Sequence, residues 1–107
     1  MWIDYPALRS QIPMERVLAL IGYHALSRRG PQLRGPCPFH APERSGARHF
    51  SVDLDKGRFH CFGCGVQGNQ LDLWAQHRQL PLYRAAIDLC HHAGVVIPLI
   101  DSHSATQ

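Results

Sequence analysis

Cys37-Pro38-Phe39-His40 and Cys61-Phe62-Gly63-Cys64, with twenty residues between them, constrain this chain more than any other feature. Each pair leaves two residues between potential metal ligands. That gap lets a tight turn aim both donors at one ion, and two such turns complete a tetrahedron. Pro38 stiffens the first turn. Gly63 and Gly65 flank Cys64, where a knuckle needs positive φ and close approach of backbone N–H groups to sulfur. Cys37, His40, Cys61 and Cys64 together leave no open coordination position, so the spacing predicts one structural zinc ion and no catalytic metal.

Other uses of the four cysteines fit the sequence less well. Two disulfides would suit a secreted chain, but the start Met1-Trp2-Ile3-Asp4-Tyr5-Pro6 lacks the apolar core of a signal peptide. A reducing cytoplasm is therefore the expected location, and there cysteine clusters more often bind metal. A Cys61–Cys64 redox pair would need a βαβ setting that the pattern does not offer. An iron–sulfur cluster could recruit Cys90. That residue, however, follows Tyr83, Ala86 and Ile87 on the expected inward face of the last helix, where a free cysteine behaves as a small apolar group.

Gly63-x-Gly65-x-x-Gly68 imitates a dinucleotide-binding fingerprint, with Asp88 twenty residues on. The preceding strand reads as half of an antiparallel hairpin and no second parallel strand follows, so the context for that fold is missing.

Around the knuckles the periodicities are simple. Residues 1–12 show no clear period and are expected to form a loosely structured lead-in. Met14, Val17, Leu18 and Ile21 predict a helix over about 13–21, ending at Gly22. Residues 27–48 read as loop, broken by an extended piece near Leu33 to Cys37. His49 to Leu54 and Arg58 to Cys61 alternate about the turn Asp55-Lys56-Gly57, which predicts a β-hairpin with Phe50, Val52 and Phe59 inward. Asp53 and Arg58 are expected to pair across it. Asn69 caps a helix whose face is Leu71, Trp74, Ala75 and Arg78. Pro81 then separates a last helix over Leu82 to Ala93, ending at Gly94. The expectation is one zinc-binding domain over 13–98, with its ribbon core at about 34–68 and a flexible tail over 99–107.

Charge adds a direction. The net charge is +3, but Arg28 to Arg58 holds seven basic residues against three acidic, a local +4. A basic middle between near-neutral flanks is what a phosphate-binding surface looks like, and also what a solvated Arg-rich loop region looks like. The best candidates for phosphate contact are Arg34, Arg48, Lys56 and Arg58, with His60 and Phe62 on the base side. Basic groups beside aromatics suit single-stranded nucleic acid. No apolar run approaches a membrane span.

The ordered set Cys37-Pro38-Phe39-His40, Phe50-Ser51-Val52, Phe59-His60-Cys61-Phe62-Gly63-Cys64-Gly65, Gly68-Asn69 and Asp72 resembles the zinc-binding domain of bacterial and phage-type DNA primases, over about residues 34–98. The loop from His40 to Phe50 is longer than usual for that family, and Ala47-Arg48-His49 replaces its Thr-Pro-Ser. The resemblance implies an α+β zinc ribbon (an antiparallel hairpin plus a short strand) flanked by an N-terminal helix and two C-terminal helices. It implies metal ligands at Cys37, His40, Cys61 and Cys64, and a role in binding single-stranded template DNA at primer initiation. In that family a separate TOPRIM domain with clustered acids adds the nucleotides. The eight acids here are scattered over 107 residues, so no activity is expected of this chain alone. The expected partners are single-stranded DNA and a TOPRIM polymerase or helicase encoded elsewhere, with no membrane. A zinc-stapled protein-interaction adaptor and a fragment of a longer primase are the alternatives.

Overall fold

The computed structural model describes residues 2–39 and 48–100. Its elements run β1 (Trp2–Ile3), α1 (Tyr5–Gln11), α2 (Met14–Ile21), β2 (Ser27–Arg29), β3 (Gln32–Gly35), β4 (Phe50–Asp53), β5 (Arg58–Cys61), β6 (Gln67–Asn69), α3 (Gln70–Arg78), α4 (Leu82–Ala93) and β7 (Leu99–Ile100). Strands β2 to β6 form one antiparallel sheet in sequence order, while β1 and β7 pair separately. The α+β ribbon with flanking helices is therefore present, with two more strands in its sheet than the pattern suggested.

The hairpin forms in the expected register, Phe50 opposite Cys61 and Val52 opposite Phe59. Phe50, Val52, Phe59 and Cys61 face the core, as strand alternation requires. Helix α2 sits where its period put it, with Met14, Val17 and Leu18 buried and Gly22 ending it. Helix α3 starts in a full capping box. The Asn69 side chain accepts from the N–H groups of Leu71 and Asp72, and the Asp72 carboxylate accepts from Asn69 N–H. Gly68 precedes it at φ +156°, and a Cβ there would lie 2.5 Å from Asp72, so only glycine admits this capping.

Several expectations need correction. The expected loose lead-in over 1–12 is regular structure over its described residues, 2–12. Asp4 caps α1 by accepting from Ala7 N–H, Pro6 occupies its first turn, and Leu8 and Ile12 are buried four residues apart. A seven-residue helix shows too few turns for its period to stand out. The first and last described segments also meet: Trp2 pairs with Ile100, and Asp4 N–H donates to the Pro98 carbonyl. Leu99 and Ile100 are thus strand, while the rest of the expected tail, 101–107, lies outside the described residues. Residues 27–29 are strand β2, not loop. Helix α4 buries Ala85, Ala86, Leu89 and Cys90, whereas Tyr83 and Ile87 are exposed. Its inward face is rotated from the one expected because small alanines pack closest to the neighbouring helices. Helix α3 buries Gln70 and Leu73 along with Leu71 and Trp74, while Arg78 is exposed and ion-paired to Asp88 at 2.9 Å. Asp88 also accepts from Trp74 Nε1, tying α3 to α4.

Candidate metal centre and the polar sheet face

Cys37 follows β3, Cys61 ends β5, and Cys64 lies in the β5–β6 turn, so sheet pairing alone brings three distant thiols together. Their Sγ atoms all lie within 4.8 Å of one another, with Cys37 and Cys64 at 3.9 Å. Tetrahedral zinc with bonds of about 2.3 Å places sulfurs about 3.8 Å apart, so this donor set fits the ion. Each knuckle supplies an N–H to its sulfur: Phe39 N–H donates to Cys37 at 3.5 Å, and Cys64 N–H to Cys61 at 3.4 Å. Gly65, at φ +81°, closes the second turn by donating to the Cys61 carbonyl. His40, the expected fourth ligand, lies outside the described residues.

The electrostatics explain why this cluster calls for a cation. Burial, helped by the neighbouring Cys61 and Cys64 and opposed by Phe39 N–H, pushes the Cys37 thiol up to about 12. Thiolates crowded here without a counter-charge are strongly disfavoured, and a divalent ion reverses that balance. Tyr23 feels the same surroundings: burial first, then Cys37 and Cys61, push its phenol up to about 12. Its hydroxyl is buried against the backbone of Gly35 and has no hydrogen-bond partner among the described residues.

The alternatives for the cysteines are resolved by position. Cys90 is buried in the core on α4 and is not part of the thiol cluster. Strands β5 and β6 are antiparallel, so the setting for a dinucleotide fingerprint or a thioredoxin-like redox pair is absent around Gly63 to Gly68.

Opposite the core the sheet carries two polar rows. One runs Ser27, Arg34, Ser51, His60, Gln67; the other runs Arg29, Gln32, Asp53, Arg58, Asn69. Four of the expected nucleic-acid residues gather at the knuckle end. Phe62 is 61% exposed, with the His60 ring 4.4 Å from it and the Arg34 guanidinium 5.4 Å above it. Arg34 also donates to the backbone carbonyl of Arg48. Arg58 and Lys56 stand at the other end, by the hairpin turn. The expected Asp53–Arg58 pair has the right register but is not formed. Asp53 instead accepts from Gln32 Nε2 and from Lys56 N–H, both at 3.0 Å. Among the described residues, none of Arg34, Arg48, Lys56 and Arg58 is in an ion pair. Arg29 and Gln67 lie on β2 and β6, which the pattern does not show, and Gln32 opens β3 one residue before the expected extended piece; the Gly30-Pro31 turn between Arg29 and Gln32 is the available signal.

Comparison with known proteins agrees with this geometry. The profile of the CHC2 zinc finger matches residues 4–105. A DNA primase of Lactococcus lactis is 37% identical over 79 residues, covering 74% of this chain and 12% of that protein. A DNA primase of Geobacillus stearothermophilus is 39% identical over 80 residues, covering 74% of this chain and 13% of that one. The chain thus spans only a small part of the length of these relatives. The crystal structure of the Aquifex aeolicus primase, with its zinc binding and RNA polymerase domains, superposes with a TM-score of 0.71 at 29% identity, covering 96% of this chain and 24% of that one. With the thiol cluster, the sheet topology and both sequence and structural matches in agreement, the chain belongs to the CHC2 zinc finger family, the zinc-binding domain of DNA primases.

Proposed function

We propose that this domain holds single-stranded template DNA on the polar face of its sheet during primer initiation, with one zinc fixing that face in place. Cys37, Cys61 and Cys64 are the zinc ligands, with His40 as the fourth. The observation that carries the reading is Phe62: an exposed aromatic ring set between His60 and Arg34, on a face whose arginines have no acidic partners among the described residues. Exposing such a ring to water is unfavourable unless a flat partner covers it, and every nucleobase has a π face. Arg34, Arg48, Lys56 and Arg58 supply the counter-charge for backbone phosphates.

Fluorescence anisotropy of zinc-loaded protein with single-stranded oligonucleotides tests this. Affinity should fall steeply with salt as phosphate counterions are released. Phe62→Ala should cost about 1–3 kcal/mol of binding, the worth of one stacked base. Salt-independent binding, or none at low salt, sinks the proposal. The adaptor reading has one feature in its favour: Tyr83 is 60% exposed and shares the outer face of α4 with Leu82 and Ile87. That face suits a protein partner, such as a polymerase or helicase, and leaves the sheet free for DNA.

A further inference from the structure

A second basic feature lies at the end of the hairpin away from the thiols. Helix α1, the β4–β5 turn and the start of α3 enclose a cleft of about 490 Å³, lined among others by Arg9, Ser10, Asp55, Lys56, Arg58 and Asn69. Arg9 and, from a distant part of the sequence, Lys56 and Arg58 line it with one carboxylate, Asp55, a net +2 for these side chains. Among the described residues none of the three cations is in an ion pair. The walls are held firmly. Gln70, buried beneath the turn, donates through Nε2 to the carbonyls of Arg9 and Ile12 at 3.0 and 3.2 Å. Its Oε1 lies so close under Gly57 that a Cβ there would be 3.1 Å away. Lys56 N–H is fixed by Asp53. The backbone that carries Arg9, Lys56 and Arg58 is therefore set before any ligand arrives.

From this arrangement we infer that the cleft is a binding site for a phosphate group bearing two or more charges. A phosphodiester carries one charge and is satisfied on an open face. A terminal phosphate or a polyphosphate carries about two or more at neutral pH and matches the cleft's excess charge. Arginines at the rim give it forked donors suited to phosphate oxygens, and Ser10 and Asn69 add neutral polar groups. The site deepens the template-binding reading and rests on it only for where the ligand comes from: the 5′ end of a strand, or a nucleoside polyphosphate.

The test uses the zinc-loaded chain with inorganic pyrophosphate as probe, at constant ionic strength, followed by backbone amide NMR. Shifts should concentrate at residues 9, 10, 55–58 and 69. Arg9→Gln should weaken binding by about tenfold, while Arg84→Gln on α4 should leave it unchanged. Shifts scattered over all basic residues, or an Arg9→Gln variant that binds as before, overturn the proposal. Two further arms identify the source. Tighter binding of a 5′-phosphorylated oligonucleotide than of its 5′-hydroxyl form, lost in Arg9→Gln, assigns the cleft to strand ends. Equal oligonucleotide affinities, with Arg9-dependent binding of a nucleoside triphosphate, assign it to free nucleotides. The 5′-hydroxyl oligonucleotide lacks the terminal phosphate, so its failure to bind would sink the template reading without touching the pyrophosphate result.

Discussion

At one end of the β4–β5 hairpin three thiols converge between two knuckles; at the other a single buried amide, Gln70, lies beneath the turn and ties α3 to the end of α1. Both ends must be fixed for the polar face between them to keep its shape, yet they are fixed by different physics. The knuckle end packs its buried thiols beside the rings of Tyr23, Phe39, Phe50 and Phe59, and adds to that packing a cation that neutralises crowded sulfurs. The turn end has no such charge to neutralise and rests on hydrogen bonds and on the same continuous core, to which Leu8, Ile12, Met14 and Leu71 belong. A small domain has a thin margin from burial alone, and a metal at one edge of the core supplements it.

The most severe way to break this comparison is to remove the metal. Structural zinc contributes an apparent ~10–16 kcal/mol in small finger peptides, comparable to the whole stability of a domain. A chelator, or Cys61→Ser, is therefore expected to unfold the chain by circular dichroism, and elemental analysis should give one zinc per chain. The pH dependence has a definite sign. Because the metal-free Cys37 thiol holds its proton up to about 12, zinc must displace it throughout the neutral range. Zinc affinity should consequently rise with pH and fall on acidification. A chain that stays folded without metal would show that the core holds both ends.

Next in size is an attack on the core. Leu89→Ala removes a fully buried side chain and should cost about 2–5 kcal/mol in urea denaturation, with zinc stoichiometry unchanged. Loss of zinc in that variant would mean the two ends are a single unit. Gln70→Ala should cost about 1–3 kcal/mol by leaving the Arg9 and Ile12 carbonyls unpaired, and amide exchange should accelerate in α1 before it does in the knuckles. The smallest effect is expected at Tyr23. Its hydroxyl is buried without a partner among the described residues, so Tyr23→Phe should leave the melting temperature unchanged or raise it by an amount worth up to about 1 kcal/mol. A marked loss instead would reveal an acceptor near the zinc ligands.

Legibility in the sequence follows the range of the forces involved. The Cys61–Cys64 knuckle, the hairpin with its inward Phe50, Val52 and Phe59, the α2 period and the Asn69 cap all depend on residues a few positions apart, and all are present in the structure. Elements too short to display a period were not legible: α1 has seven residues, and β2 and β6 have three each. The face of α4 was misjudged because Tyr83 and Ile87 look like core residues, and only the neighbouring helices decide that the alanines go inward. Asp53 and Arg58 met in register but did not pair, since Gln32 and the turn's own N–H competed for the carboxylate.

The same division holds for the site. The sequence by itself determined that Cys37, His40, Cys61 and Cys64 stand at the spacing of two knuckles, with a basic stretch between and around them, and short turns have few geometries. Only the tertiary structure decided that Arg34 would lie over Phe62, that Arg29, Gln32 and Gln67 would join the polar rows, and that Arg9 would reach Lys56 and Arg58. Those meetings depend on strand register and on where a buried amide anchors a helix, and no local pattern carries that information.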